Sequence, residues 1–227
     1  MAGMNRRQLL LFFLIAVVLT FAGIFLFDQP VAAFAQRTGG RQSPVLQEGT
    51  HWLEIASGFT IPKIGRFFLA YLLLAGAALL FIARSTRHLA WIFLFIGSTH
   101  LVARLIAGSL KNVFNRLRPF EVIEAGNWDW HFFGDHGSSF PSGHSAHFWS
   151  LFLPLAFLFP RYRWLFFVIP VFITIARVGV NDHWGSDVIA SAGIAALITL
   201  LFAWLYRFKT PQASVDERPV AAKNSGI

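Results

Sequence analysis

Residues 9–27 read LLLFFLIAVVLTFAGIFLF, nineteen consecutive residues without a charged side chain. A helix of about that length crosses the roughly 30 Å hydrocarbon core of a bilayer. The composition agrees, because 56% of the 227 residues are hydrophobic and only 13% are charged. An average soluble protein has about 25% charged residues. The sequence therefore predicts an integral membrane protein.

Five more apolar runs follow the first. They cover residues 67–83, 89–107, 145–159, 164–176 and 188–206. Several of these runs reach the roughly 20 residues that a transmembrane helix needs, whereas 145–159 and 164–176 need their polar ends to do so. We predict an all-α integral membrane bundle of six transmembrane helices, which forms one domain over residues 1–227.

The first apolar run has two interpretations. It also resembles a signal peptide, with a small-residue cleavage site at Ala33-Phe34-Ala35. However, the run is longer than the roughly 7 to 15 apolar residues of a typical signal peptide. We therefore favour a first helix that is retained in the mature protein.

Basic residues in the short connections predict the orientation of the bundle. They occur on one side of it, at Arg6, Arg7, Arg84, Arg87, Arg161, Arg163, Arg207 and Lys209. Because cytoplasmic connections carry an excess of Lys and Arg, this side is predicted to be cytoplasmic. Both termini and a tail at 208–227 lie there, and the segments at 28–66 and 108–144 face the opposite side.

Charge and cysteine content exclude several classes of function. The net charge of +8 arises from basic residues at helix ends and not from one continuous basic face, so no nucleic-acid partner is predicted. The chain has no cysteine, which excludes disulfides, thiolate catalysis and cysteine-based metal sites.

The outside segment at 28–66 also has two interpretations. His51, Trp52, Ile55 and Phe59 could mark a short amphipathic helix at the membrane surface. Alternatively, the segment is a loop that only tethers the first helix to the second.

Residues 140–145 read FPSGHS and stand between a polar loop and the fourth apolar run. If that run is a helix, Ser142, Gly143 and His144 occupy its first turn. The free N–H groups and positive dipole end of a helix favour an anion at this place. The stretch therefore predicts an anion site with an imidazole at its edge.

A second polar stretch follows the third apolar run. Lys111 and Arg118 are seven residues apart, close to two helical turns, so both can project from one side before Pro119 ends the helix. Within the run, His100 and Arg104 share a helix face that leads toward Lys111. Ionisable groups inside a transmembrane helix either form internal hydrogen bonds that stabilise the bundle or support the residues of a functional site.

A third stretch contains Arg177, His183 and Asp187. On a helix that opens the sixth run, a spacing of four residues lets Asp187 accept the N–H of His183 and fix its tautomer. The three stretches stand at the same predicted end of the bundle. Together they offer cations, a helix N-terminus and two histidines, which suits a phosphate site with a nucleophile and an acid.

These residues resemble the type-2 phosphatidic acid phosphatase superfamily, whose pattern is K-x6-R-P, P-S-G-H and S-R-x5-H-x3-D. Order and internal spacing match here at Lys111…Arg118-Pro119, Pro141-Ser142-Gly143-His144 and Arg177…His183…Asp187. The chain departs from the pattern at Ala176, where the family has serine. Arg116 adds a cation to the first motif, for which a part in substrate choice is one interpretation.

The resemblance implies a metal-independent mechanism without a cofactor. His183 would attack phosphorus while held by Asp187, and His144 would protonate the leaving oxygen and then activate water. The phosphate would be bound by Lys111, Arg118, Arg177 and the N–H groups near Ser142 and Gly143.

The resulting hypothesis is a lipid phosphatase of a bacterial inner membrane that acts at the periplasmic surface. Its partners would be membrane lipids and a lipid phosphate. Candidate substrates by resemblance are undecaprenyl diphosphate, phosphatidic acid, phosphatidylglycerophosphate and lipid A phosphates. The rival functions are a lipid-to-lipid phosphotransferase and a non-enzymatic phospholipid-binding or transport protein. The oligomeric state is not predicted.

Overall fold

A computed structural model describes residues 5–128 and 131–206 of the chain, and every long regular element in that part is an α-helix. The predicted tail at 208–227 and the basic pair Arg207 and Lys209 lie outside the described residues. In chain order the helices are α1 (Arg6–Ala22), α2 (Asp28–Arg37), α3 (Pro44–Ala56), α4 (Phe68–Leu80), α5 (Arg87–Phe114), α6 (Pro119–Ala125), α7 (Gly143–Leu158), α8 (Arg163–Gly179) and α9 (Gly185–Leu205).

The six apolar runs correspond to α1, α4, α5, α7, α8 and α9. Four helical stretches are long and apolar enough to cross a membrane, at Arg6–Arg37, Arg84–Ala125, Pro160–Gly179 and Gly185–Leu205. The all-helical membrane fold is thus confirmed. The count of six spans stays a prediction, because α4 has 13 residues and α7 has 16.

The outer surface of the bundle is apolar. Large hydrophobic side chains are exposed along α1, α4 and α8, among them Val18, Phe21, Leu72, Leu79, Leu165 and Val168. Such continuous exposure is unfavourable in water and is what a lipid-facing surface requires.

Helix α7 is largely buried and packs against α5, α8 and α9. The buried core there combines large side chains with alanines, including Phe95, Trp149, Leu153, Phe157, Ala192, Ala195 and Ala196. In lipid, helices associate mainly through close packing, and small residues let the backbones approach. The alanines of α9 therefore bring its polar first turn against the start of α7.

A π-helical turn at Gly23–Phe27 joins α1 to α2. A Cβ atom on Gly23 would lie 3.0 Å from the Cβ of Ser186, so any larger residue would push α9 away by a few tenths of an ångström. As a result, Asp28 at the start of α2 lies buried against the first turn of α9. Single π turns are frequent at functional sites.

The outside segment at 28–66 contains two helices instead of an extended tether. Helix α3 includes His51, Trp52 and Ile55, and it packs against α8. Phe59 lies three residues beyond its end. The helical interpretation of this segment is therefore correct, and α3 is close enough to α8 to contribute side chains to the same end of the bundle.

The predicted continuation of α5 to Pro119 is wrong. The helix ends at Phe114 because Asn115 adopts a left-handed conformation, with φ of 39°, and its N–H donates to the carbonyl of Lys111. Pro119 then opens α6 at its first position, where the missing N–H of proline costs nothing. Lys111 and Arg118 consequently do not share one helix.

Candidate active site

Helix α7 begins directly after Ser142, whose Oγ accepts the N–H of Ser145 at 3.3 Å. The N–H of Ser142 donates to the carbonyl oxygen of Asp187 at 3.1 Å, and its side chain is fully buried. Ser142 therefore caps the helix and joins it to α9. The N–H groups of Gly143 and His144 belong to the first turn, where a helix provides no acceptor of its own.

A cavity of about 400 Å³ opens at this end of the bundle, between α5, the start of α7 and the turn before α9. Five of the predicted site residues line it: Lys111, Arg118, Gly143, His144 and His183. Lys111 and His183 thus line the same cavity, although they are 72 residues apart in the sequence.

The cavity is strongly basic. Lys111 and Arg118 are joined there by Arg66 and Arg104, and among the described residues that line it there is no carboxylate. Arg104 donates from Nη1 to the carbonyl oxygen of Gly143, so it also fixes the first turn of α7. Cations around a site with free backbone N–H groups suit a phosphate group.

His183 is buried at the back of the cavity, with its Nδ1 atom 3.4 Å from Oδ2 of Asp187. The prediction that both lie on one helix is wrong, since α9 begins at Gly185 and His183 belongs to the preceding turn. Burial lowers the pKa of His183 to about 3, despite the opposing effect of Asp187. The imidazole is therefore neutral at pH 7 and can act as a nucleophile.

Asp187 is held in place by several donors. Its Oδ2 accepts from the N–H of Trp184 at 3.0 Å and from the hydroxyl of Ser139, while its Oδ1 accepts from Nη1 of Arg116 at 2.6 Å. A fully buried carboxylate with this many donors keeps one orientation. The orientation of His183 is thereby fixed as well.

Arg116 does not line the basic cavity, which argues against a part in substrate choice. Its guanidinium is buried between two carboxylates, with Nη2 at 2.7 Å from Oδ2 of Asp28 in addition to the contact with Asp187. Asp28 also accepts the N–H of Ser186 at 2.9 Å. The cation therefore joins α2, the first motif and the start of α9.

His144, at the front of the cavity, contacts a carboxylate that sequence motifs did not indicate. Its Nε2 atom forms a hydrogen bond with Oε1 of Glu54 on α3. Burial lowers the pKa of His144 to about 4, and the hydrogen bond with Glu54 opposes that lowering. Burial also raises the pKa of Glu54, but His144 and Arg177 outweigh it and the net pKa is lowered.

Arg177 lies beside the basic cavity and not in it. Its Nη2 atom is 2.5 Å from Oδ2 of Asp182, and the other carboxylate oxygen of Asp182, Oδ1, is 4.0 Å from Nη1 of Arg118. Arg177 lines a second cavity, of about 290 Å³, together with Glu54 and Asp182. Of the eight predicted site residues, three are therefore not part of the lining of the basic cavity: Arg177, Ser142 and Asp187.

Two further histidines lie deeper in the bundle. Nδ1 of His100 is 2.8 Å from the hydroxyl oxygen of Ser150, and its ring contacts that of His147 at 4.6 Å between centroids. Both rings are buried and neither lines the basic cavity. They lie in the buried interior between α5 and α7.

Three comparisons relate the chain to known proteins. A family model described as the PAP2 superfamily matches residues 89–211, more than half of the chain. The lipid A 1-phosphatase of Rhizobium etli (strain CFN 42) is 33% identical over 191 residues, which cover 81% of this chain and 78% of that protein. The lipid A 1-phosphatase of Rhizobium johnstonii is 36% identical over 137 residues, 58% of this chain and 56% of that protein.

A solved structure has a similar fold. The crystal structure of a transmembrane PAP2-type phosphatidylglycerolphosphate phosphatase from Bacillus subtilis aligns with a TM-score of 0.57. The alignment covers 92% of this chain and 100% of that one, at 23% sequence identity. This similarity supports the arrangement of the helices.

Proposed function

The chain belongs to the PAP2 superfamily, and from that membership we propose that it is a membrane phosphatase that removes a phosphate group from a lipid. The observation that carries the proposal is the basic cavity, in which His183, backed by Asp187, and His144 line one space with four cations. Nucleophile, acid and anion binders are the parts that phosphoryl transfer requires.

Lipid A carrying a 1-phosphate is the first candidate substrate, because both curated relatives bear the name lipid A 1-phosphatase. The identity of 33% over most of both chains supports a related substrate. Undecaprenyl diphosphate, phosphatidic acid and phosphatidylglycerophosphate remain in the panel of substrates to be tested. Apolar Phe59 and Phe67 in the wall of the cavity suit a lipid of any of these kinds.

In the first step, a neutral His183 attacks the phosphorus atom. Its Nδ1 atom faces Asp187, so Nε2 is the nitrogen that forms the N–P bond. The bond from phosphorus to the lipid oxygen breaks, and that oxygen keeps the electron pair and takes a proton from His144. The product of this step is a phosphohistidine and a dephosphorylated lipid.

In the second step, water replaces the lipid oxygen. His144, now neutral, takes a proton from the attacking water as its oxygen bonds to phosphorus. The N–P bond breaks, the electron pair returns to Nε2 of His183, and inorganic phosphate is released. The site thereby regains its starting protonation.

The cations stabilise the charge on the phosphate oxygens in both steps. Lys111 and Arg118 line the cavity and are proposed to contact these oxygens, together with the N–H groups of Gly143 and His144. Because the guanidinium of Arg177 is already paired with Asp182, Arg177 is proposed to act on the phosphate through its positive charge. Ser142 contributes by capping the helix that presents those N–H groups.

The proposed location is a bacterial inner membrane with the cavity on the periplasmic side. The basic residues Arg6, Arg87 and Arg163 stand at the ends of α1, α5 and α8 that are remote from the cavity. Short basic connections favour the cytoplasmic side. The opposite end, which contains the cavity, would then meet lipids of the outer leaflet.

Release of phosphate from purified lipids tests the proposed function. Wild type is incubated in detergent with lipid A 1-phosphate, undecaprenyl diphosphate, phosphatidic acid and phosphatidylglycerophosphate. We expect the highest kcat/KM with lipid A 1-phosphate and a loss of at least about 10,000-fold in His183→Ala. Lys111→Met is expected to lose about 100- to 1,000-fold. Because cationic side chains neutralise the phosphate, EDTA should leave the rate unchanged.

His136→Ala is the matched control, since His136 is exposed on the loop before α7. Release of inorganic phosphate when one lipid phosphate is the only substrate distinguishes hydrolysis from transfer to a second lipid. Turnover of no lipid phosphate by wild type would favour a binding or transport protein. Undiminished turnover in His183→Ala would contradict the proposed mechanism.

A further inference from the structure

We propose that Glu54 is a positioning residue that holds His144 in the tautomer needed to protonate the leaving oxygen and favours its protonated form. The inference rests on the proposed function and adds a second histidine–carboxylate pair to the site. Glu54 lies on α3, outside the part of the chain that the family model matches. None of the three motifs contains it.

The contact is direct and partly shielded from water. Nε2 of His144 bonds to Oε1 of Glu54, and the two side chains are 17% and 19% exposed. The ring of Phe59 lies 4.7 Å from the imidazole between centroids, so the outside segment holds the ring on a second side. Two contacts from one segment fix both the position and the rotation of the imidazole.

The contact also decides which nitrogen reacts. A carboxylate accepts a hydrogen bond, so Nε2 carries its proton toward Glu54 and Nδ1 is left to exchange a proton with the substrate. His183 has the opposite arrangement, with Nδ1 against Asp187 and Nε2 for phosphorus. The two rings thus use different nitrogens for their separate tasks.

The charges around His144 show why a carboxylate is needed. Arg104 of α5 and Arg177 of α8 face it, and Lys111 and Arg118 line the same cavity. These cations all disfavour an imidazolium, and His147 on the same helix adds no negative charge. Glu54 supplies the negative charge that favours the protonated ring, to which a bound phosphate adds its own.

The proton balance of the first step follows. The imidazolium of His144 holds protons on both nitrogens, and the Nδ1 proton moves to the lipid oxygen as its bond to phosphorus breaks. The Nε2 proton stays in the hydrogen bond with Glu54 throughout. In the second step, Nδ1 receives a proton from water and the imidazolium forms again.

Substrates with different leaving groups test the role of Glu54. An alkyl phosphate such as phosphatidic acid needs a proton on its leaving oxygen, whereas 4-nitrophenyl phosphate has a leaving group that departs without one. In Glu54→Gln we expect kcat for phosphatidic acid to fall about 10- to 100-fold, within the range of general acid catalysis. The kcat for 4-nitrophenyl phosphate should stay within about 3-fold of wild type, and Glu54→Asp should recover part of the loss.

Glu48→Gln is the matched control, because Glu48 is an exposed glutamate on the same helix. An equal loss with both substrates in Glu54→Gln would mean that Glu54 does not act on protonation of the leaving oxygen, and would overturn the inference. Unchanged turnover of phosphatidic acid would overturn it as well. If wild type hydrolyses no lipid phosphate, the proposed function is wrong. If wild type hydrolyses lipid phosphates and Glu54→Gln does so at the same rate, only the role of Glu54 is wrong.

Discussion

The two histidine–carboxylate pairs at the cavity differ in how they are built. His183 and Asp187 are four residues apart, and the carboxylate is fully buried with donors from Arg116, Ser139 and Trp184. His144 and Glu54 are 90 residues apart and partly exposed. One pair is fixed by many contacts, and the other by few.

The difference matches the two tasks that we propose. A nucleophile needs one orientation and one protonation state, which burial and a fixed carboxylate provide. An acid that becomes a base must lose and regain a proton in every cycle. A partly exposed pair tolerates that change of charge better than a fully buried pair, because water stabilises both states.

The largest effect should come from exchanging the carboxylates for amides. Asp187→Asn can present its NH2 group to Nδ1 and favour the wrong tautomer of His183, so we expect kcat to fall about 10,000-fold. The fall in Glu54→Gln should be at least tenfold smaller, with steady-state turnover of one lipid phosphate as the measurement. Equal losses in the two variants would show that the pairs are equivalent and would refute the comparison.

A second, intermediate effect concerns stability. Arg116→Met leaves Asp28 and Asp187 buried without their cation, and breaking such a buried pair costs about 3–5 kcal/mol. We expect a clearly lower midpoint of thermal unfolding in detergent. Glu54→Gln breaks a partly exposed pair, for which about 0–1 kcal/mol is typical, and should change the midpoint little.

Arg37→Met serves as the control for this measurement, since Arg37 is exposed at the end of α2. A midpoint for Arg116→Met equal to that of the control would contradict the structural role of Arg116. The companion variant Asp28→Asn keeps the ion pair between Arg116 and Asp187, and it should therefore retain more activity than Arg116→Met.

The smallest effect concerns the pH dependence of kcat. Burial lowers the pKa of His144 to about 4, Glu54 opposes this lowering, and a bound phosphate opposes it further. The acid must be protonated, so activity falls as pH rises through the pKa of His144 in the complex. Glu54→Gln removes the negative charge, lowers that pKa and should move the basic limb to lower pH.

In Asp187→Asn the maximal kcat should fall, but the pH at which kcat decreases on the basic side should stay unchanged, because Asp187 acts on the other histidine. A pH series on both variants with one lipid substrate makes the comparison. A shift of the basic limb to higher pH in Glu54→Gln would contradict the assignment of His144 as the acid.

Much of the fold and part of the site could be predicted from the sequence. Apolar runs predicted the helices, because hydrophobic length is a local property of the chain. The motif spacings predicted that Lys111, Arg118, Gly143, His144 and His183 share a site, and the structure brings all five to one cavity. Their catalytic and binding roles stay predictions until the variants are measured.

The errors arose where local geometry depends on single backbone angles. The left-handed conformation of Asn115 ends α5 early, and the turn at His183 delays the start of α9. A spacing of seven or four residues fits a helix but also fits these turns. The N–H of Ser142 was expected near phosphate, yet it donates to Asp187.

Two carboxylates were missed for a different reason. Asp28 directly follows the nineteen-residue apolar run, and Glu54 lies beside the aromatic and apolar residues of α3. Each carboxylate could have been noted as unusual at such a boundary. The partner of each could not have been predicted, since Arg116 is 88 residues from Asp28 and His144 is 90 residues from Glu54.

By itself, then, the sequence determined the all-helical membrane fold and five of the residues that line the basic cavity. Hydrophobic length and motif spacing are properties of short stretches, so they can be read without the fold. The tertiary structure alone decided which carboxylate faces which histidine, and that Arg116 pairs with Asp28 and Asp187 outside the basic cavity. Such pairings depend on how distant helices pack, and in a low-dielectric interior each buried charge must find its partner there.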